Sequence, residues 1–278
     1  MELKVYTQNI YGFPNVLLAK YRLNHCLKYV VKSDFDVVFL QEVFLYSWLK
    51  YGLAANSYIS DTYNIYYTKK RTHFQIEGGL VVLIKKHIIL EDIQFNKFQQ
   101  QGIITRPAQL VHYINNKGYL KIRVNYEGHT IHLINTHTSA SFVKNKESLK
   151  TLNPQSLTLY LQLAQLISTL NNLTGEKVLL AGDLNLNLHS VIESMGKSII
   201  QDVSNTLQGL WPKQTLLVPD AKAITHYSKK GESLIDFILA SGLTGTSFDI
   251  VEQDRIQYLT FGFVASDHNG VVTNVVIV

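Results

Sequence analysis

The chain is built from short apolar runs, and most of them end on a polar side chain. "LKVYTQNIYG" (residues 3–12) alternates and then breaks at Gly12-Phe13-Pro14, the pattern of a strand that runs into a loop, with the polar Asn9 at its end. "DFDVVFLQEVF" (34–44) is β-branched and aromatic and closes on Gln41-Glu42. Further strands are expected in "GGLVVLIKK" (78–86), "YLKIRVNYEGHTIHLINTHT" (119–138), "KVLLAGDLN" (177–185), "SLIDFILAS" (233–241) and "GVVTNVVIV" (270–278), with a hairpin turn at Glu127-Gly128. Two stretches carry the helical period instead. Between Val16 and Lys32, Leu23, Leu27 and Val30 form a stripe with Lys20, Arg22, Lys28 and Lys32 largely off it. Between Ser156 and Asn171, Leu157, Leu161, Ala164, Ile167 and Leu170 form a second stripe, entered through Asn153-Pro154. Two helices among many strands predict a layered α/β sandwich, two packed sheets with helices outside.

Composition supports a folded chain. With 278 residues, 46% hydrophobic and 17% charged, it can bury a large core, and no linker-like stretch divides it, so residues 1–278 are expected to form one domain. The net charge of +5 and pI near 9.0 favour anionic partners such as phosphates, nucleic acid or acidic membrane surfaces. Cys26 is the sole cysteine, which excludes an intrachain disulfide and a zinc cluster of thiolates. Neither a secretory leader nor an apolar run of ~20 residues is visible, so a soluble protein is expected, peripheral to any membrane it meets.

The polar strand ends carry the chemical signal. They are Asn9, Glu42, His137, Asp183 with Asn185, Asp236, and Asp267 with His268. A single strand-end Asp or Asn is ordinarily a turn former or a cap. Asp236 is harder to dismiss, because Leu234-Ile235 and Phe237-Ile238 flank it and a buried carboxylate needs a donor. Taken as a set, Glu42, Asp267 and Asn9 supply the oxygen ligands that Mg²⁺ uses, and Mn²⁺ would serve in its place. His268 can act as a base held by the Asp236 carboxylate. Asp183 can orient a water while Asn185 and His137 donate to phosphoryl oxygens. Together these describe metal-assisted attack of water on a phosphorus ester.

In order, "TQNIYG", "LQEV", "NTHT", "GDLN", "IDFI" and "SDH" resemble the motifs of the endonuclease/exonuclease/phosphatase superfamily across nearly the whole chain. The neutral sphingomyelinase branch is the most similar. That likeness rests on "QNIYGFPNVLLAKYRLNHCLKYV", "GGLVVLIKK", "KGYLKIRV" leading to "HLINTHT", and "LYLQLAQLISTL" before "VLLAGDLN". The resemblance implies a four-layered α/β sandwich, in which two packed mixed sheets are flanked by helices. It also implies Glu42 as principal Mg²⁺ ligand with Asn9 and Asp267 near the metal. Asp183 would orient the nucleophilic water, His268 would be general base held by Asp236, and Asn185 and His137 would contact phosphate. The chain departs from the family pattern at Tyr11, Thr138 and Leu234, none of them a catalytic group.

The implied substrate is a phosphodiester, sphingomyelin at a membrane surface, cleaved to ceramide and phosphocholine. Phe13 in the first loop, and Tyr258, Phe261 and Phe263 within residues 243–264, are the candidate lipid-facing side chains, although such aromatic alternation also suits a strand core. A nuclease of the same superfamily is the alternative, which the positive charge and sixteen Tyr would suit. A phosphoinositide-type phosphatase is a third. Nothing in the sequence implies a protein partner.

Overall fold

The computed structural model describes residues 1–12, 16–54, 56–99, 116–140, 154–186, 215–217, 225–228, 231–251 and 268–277. In chain order the strands are β1 (Glu2–Asn9), β2 (Val37–Gln41), β3 (Tyr63–Tyr67), β4 (Val81–Lys85), β5 (Ile89–Lys97), β6 (Gly118–Tyr126), β7 (His129–His137), β8 (Lys177–Asp183), β9 (Thr215–Leu217), β10 (His226–Ser228), β11 (Gly231–Ser233), β12 (Asp236–Ser241), β13 (Thr244–Val251) and β14 (Gly270–Val276). The described helices are α1 (Val16–Ser33), α2 (Tyr46–Ala54), α3 (Ser57–Thr62) and α4 (Pro154–Asn171). Every strand expected from an apolar run is present.

Two six-stranded mixed sheets form, ordered β13-β14-β1-β2-β4-β3 and β5-β6-β7-β8-β12-β9. Their inner faces make the central core. Val5, Val37, Phe39 and Val82 from the first sheet pack with Ile122, Leu133, Leu179 and Ile238 from the second. Outside the first sheet, Tyr6, Val38 and Leu40 meet Leu23, Leu27 and Val30 of α1. Outside the second, Ile134, Val178, Leu180 and Phe237 meet Leu159, Leu163, Leu166 and Leu170 of α4. This is the four-layered sandwich. It also explains why β2 and β8 read as unbroken apolar runs, since both of their faces are covered.

The hairpin falls where Glu127-Gly128 places it. Tyr126 pairs with His129, and both turn residues have positive φ (49° and 86°), the two-residue type I′ geometry that suits twisted strands. Two details of the helices differ from expectation. In α4 the buried side is Leu159, Leu163, Leu166 and Leu170, while Leu161 and Ala164 are exposed. The sequence there is apolar on several faces, so more than one stripe satisfies the 3.6-residue period and packing alone selects between them. In α1, Arg22 is buried rather than solvated, with its guanidinium bonded to the Tyr11 carbonyl at 2.5 Å and stacked 4.5 Å over the Tyr11 ring. The described part of residues 243–264 is β13, an edge strand, and Tyr258, Phe261 and Phe263 lie outside the described residues, as do Phe13 and Asp267. No described helix is long and apolar enough to cross a membrane.

One polar seam interrupts the apolar space between the sheets. The Gln41 amide donates to Thr7 Oγ1 (3.1 Å) and to Asn135 Oδ1 (2.8 Å), while Asn135 Nδ2 donates to the carbonyls of Leu40 (3.0 Å) and Val81 (2.9 Å). All these side chains are fully buried, and their bonds offset much of the desolvation that burial imposes, with Gln41 Oε1 left without a partner among the described residues.

Candidate active site

Strand register assembles the first half of the site. β7 and β8 run parallel with His137 opposite Asp183, and β8 and β12 run antiparallel with Asp183 opposite Asp236, so the three side chains stand abreast at one end of the second sheet. Gly182 allows this close pairing. It has φ 141°, and a Cβ there would overlap the carbonyl oxygen of Thr136, so the position is restricted to glycine.

Turns assemble the other half. Asn9 ends β1 beside Gln41, and Glu42 follows in a left-handed conformation, φ 59°. The Asn9 Oδ1 accepts from the Tyr11 N–H at 2.9 Å and folds the chain back, which brings Gly12 so near Glu42 that a Cβ would overlap the Glu42 carbonyl oxygen. Asn9 Nδ2 then faces two carboxylates, Glu42 Oε1 at 3.2 Å and Asp183 Oδ2 at 3.0 Å, and so joins the two sheets.

His268 enters just before β14. Its Nδ1 lies 2.8 Å from Asp236 Oδ2, and its carbonyl accepts from Gln8 Nε2 at 3.3 Å. Thr225 steadies this corner, since its Oγ1 accepts from the Ile235 and Asp236 N–H groups and its carbonyl accepts from the Asn269 N–H at 2.7 Å. With Nδ1–H donated to Asp236, Nε2 is left as the basic nitrogen, 3.9 Å from Asp183 Oδ2. One water can reach both atoms.

Asp183 is the hub. His137 Nε2 lies 3.6 Å from its Oδ2 and 3.8 Å from Glu42 Oε1. Its Oδ1 accepts from the Asn185 backbone N–H at 2.8 Å, an Asx turn that puts Asn185 at φ 48° and sends the Asn185 amide to the Thr138 carbonyl at 3.0 Å. The turn former and the site residue are thus one structure. Burial, and then the Asp236 charge, push the Asp183 carboxyl up to about 7, against the pull of His268, Lys117 and Asn9.

Lys117 is the residue that sequence reasoning missed. It is 3% exposed, with Nζ 2.8 Å from His137 Nε2 and 2.5 Å from the Thr138 carbonyl. Burial pushes its pKa down to about 8, opposed by Asp183 and Glu42. In sequence it looks like an ordinary loop lysine before a strand. The only hint was its place beside Gly118, whose Cβ would meet the Asn96 carbonyl and the Phe95 ring.

The family departures are accommodated locally. Tyr11 holds Arg22, Leu234 is core beneath α4, and Thr138 donates through Oγ1 to the Leu184 carbonyl at 2.5 Å.

A divalent cation fits this donor set. Three carboxylates converge: Asn9 bridges Glu42 to Asp183, and Asp236 stands opposite Asp183 on the neighbouring strand. Among the described residues, ligand-type atoms of Asp183, Asp236 and His268 come within 4.8 Å of one another. A cation between Asp236 and His268 would displace their 2.8 Å hydrogen bond, however, whereas the Glu42 carboxylate is oxygen-only and partly open, its side chain 15% exposed. The Glu42 carboxylate is thus the more accessible oxygen donor of the set.

Comparison with known proteins places the fold and the family. The sphingomyelinase C 2 of Leptospira interrogans is 28% identical over 203 residues, which are 67% of this chain, and the chain spans about a third (31%) of that relative's length. Among solved structures, D. rerio TDP2 complexed with a single-strand DNA product matches with TM-score 0.65 at 16% identity, covering 99% of this chain and 98% of that one. Sphingomyelinase C from Streptomyces griseocarneus matches with TM-score 0.62 at 18% identity, covering 99% of each. At these identities the two structures speak for the fold. Residues 6–268 match the Endonuclease/Exonuclease/phosphatase family, and the chain, with its paired sheets and polar strand ends, belongs to that family of metal-dependent phosphoric ester hydrolases.

Proposed function

We propose that the chain is a Mg²⁺-dependent phosphodiesterase of the sphingomyelinase type, which cleaves sphingomyelin to ceramide and phosphocholine, with residues 1–278 working as one catalytic domain. The observation that carries the chemistry is the Asp236–His268 bond, which turns the Nε2 of His268 toward Asp183, 3.9 Å away. His268 takes the proton of a water that Asp183 orients, and Asp236 stabilises the imidazolium that results. Asn185 and His137, the latter backed by Lys117, meet the phosphoryl oxygens. Glu42 would hold the cation, with Asn9 and Asp267 beside it. That cation, Mg²⁺ with Mn²⁺ as substitute, supplies charge neutralisation at the phosphoryl group.

The likeness to a sphingomyelinase C supports a lipid substrate, and Phe13, Tyr258, Phe261 and Phe263 remain the side chains proposed to meet the bilayer. A nuclease is the second reading, favoured by the +5 charge and by the fold shared with a DNA-bound TDP2. A panel of sphingomyelin vesicles, plasmid DNA and inositol phosphates with Mg²⁺ separates these readings. Vesicle sphingomyelin should be hydrolysed and excess chelator should abolish the activity. Plasmid nicking that disappears between low and physiological salt, with vesicles untouched, would reverse the ranking.

A further inference from the structure

The loop from β3 to β4 carries a feature that the catalytic reading leaves unused. Residues 69–74 read Lys-Lys-Arg-Thr-His-Phe and all six are exposed. Phe74 is 69% exposed, more than any other large hydrophobic side chain described. A singly exposed apolar residue is commonplace and by itself says nothing. This one is held out by a formed turn. The Arg71 N–H donates to the Gln75 carbonyl at 2.8 Å, the Gln75 N–H to the Thr72 carbonyl at 3.4 Å, and the Phe74 N–H to Thr72 Oγ1 at 3.3 Å. Lys70 sits 5.3 Å over the Tyr46 ring, which tilts against Tyr67, itself 37% exposed. Among the described residues none of Lys69, Lys70 and Arg71 enters an ion pair.

The tip is also tied to the active site. The Tyr46 N–H donates to the Phe74 carbonyl (3.2 Å), the Ile76 N–H to the Phe44 carbonyl (2.9 Å), and the Phe44 N–H to the Glu42 carbonyl (3.0 Å). Tyr46 is four positions after Glu42, at most about 14 Å of extended chain. The Phe74 turn is therefore tethered through its backbone to the segment that follows Glu42.

We infer that residues 69–74 are a preformed anchor for an anionic lipid surface, with the Phe74 ring inserting at the interface and Lys69, Lys70 and Arg71 pairing with acidic headgroups. The inference rests on the lipid reading of the site and adds which lipid charge the enzyme seeks. Apolar insertion combined with a cluster of cations is the two-part signal that gives stable peripheral binding. Single-stranded nucleic acid instead calls for a groove with several rings on which successive bases stack, and a turn bearing one outward ring does not provide it. Because the turn is already formed, little ordering entropy is lost on docking.

Co-sedimentation with phosphatidylcholine vesicles, with and without phosphatidylserine, tests this. The wild-type chain should partition onto the phosphatidylserine vesicles. Combined Lys69→Gln, Lys70→Gln and Arg71→Gln should lower that partition about a hundredfold, near fivefold for each charge, and Phe74→Ser about tenfold or more. Both variants should keep the thermal midpoint and the hydrolysis rate on a short soluble phosphodiester. Wild-type chain that ignores phosphatidylserine vesicles, or variants that partition like wild type, would overturn the anchor while leaving hydrolysis of micellar sphingomyelin, and so the catalytic reading, intact. Tip-dependent vesicle binding by a chain that leaves sphingomyelin uncut would support the anchor and sink the catalytic reading. Loss of single-stranded oligonucleotide binding in the variants, with vesicle partition unchanged, would overturn the lipid assignment in favour of nucleic acid.

Discussion

The two sheets contribute to the mouth in different ways. The second sheet offers His137, Asp183 and Asp236 as paired residues of three adjacent strands, so their spacing is that of the ladder itself. The first sheet offers Asn9, Glu42 and His268 from strand ends and turns, held by side-chain bonds and by a left-handed backbone at Glu42. Ladder geometry is hard to alter without unfolding the sheet. Turn geometry can shift while the fold survives, so the first sheet's side of the mouth is where tuning is cheap and the second sheet's side is where it is not.

Removing side chains should show the largest contrast. Asp183→Ala touches both sheets through Asn9 and should cost several kcal/mol of transition-state stabilisation, on the order of 10³-fold or more in kcat. His268→Ala should cost about 10²–10⁴-fold. Asn185→Ala should cost about 2.7–4 kcal/mol, comparable with loss of one oxyanion donor, with KM little changed. Folded variants that turn over at the wild-type rate would reduce Asp183 and Asn185 to an Asx turn.

Glycine substitutions sharpen the difference by placing a methyl group on each side. Gly182→Ala should destabilise the fold by about 2–4 kcal/mol in denaturant unfolding, because the added Cβ meets the neighbouring strand's backbone and φ is positive. Gly12→Ala presses on the Glu42 carbonyl, outside any ladder, and should lower kcat about a hundredfold with a smaller loss of stability. Equal stability losses would erase the distinction between the halves.

The smallest effect is on stability against pH in chelator. Asp183 is raised from 3.8 to about 7, so the folded chain holds that proton more tightly than the unfolded one and stability should fall as pH rises through that interval. Lys117 is lowered from 10.5 to about 8, so the unfolded chain holds that proton more tightly and stability should recover from about 8 upward. The thermal midpoint should therefore pass through a trough between about 7 and 8. Asp183→Asn should flatten the falling limb, and Mg²⁺ should fill the trough in wild type. A falling limb unchanged by Asp183→Asn would assign it to another group.

The strands of the core and the carboxylates that end them were legible because a polar residue closing a run buried on both faces is conspicuous. The edges were not. β5 is mostly exposed and β3 is a run of tyrosines around Asn64 and Ile65, so neither shows the alternation of a half-buried strand. Lys117 and Thr225 stayed hidden for a different reason. Their roles depend on groups brought near by tertiary packing, and a loop lysine or threonine carries no local mark of that. Asn135 and Gln41 lay within the motifs, yet as structural amides rather than as chemistry.

Those two amides have a mechanical meaning. Apolar layers resist separation but resist sliding weakly, since a hydrophobic contact has no preferred direction. The Gln41–Asn135 bond is directional and sits one residue before Glu42 and two before His137, so it works as a dowel pin between the two plates that carry the halves of the mouth. A slip of one atom's width there would leave each sheet intact and misalign every pair of groups that meets across the gap.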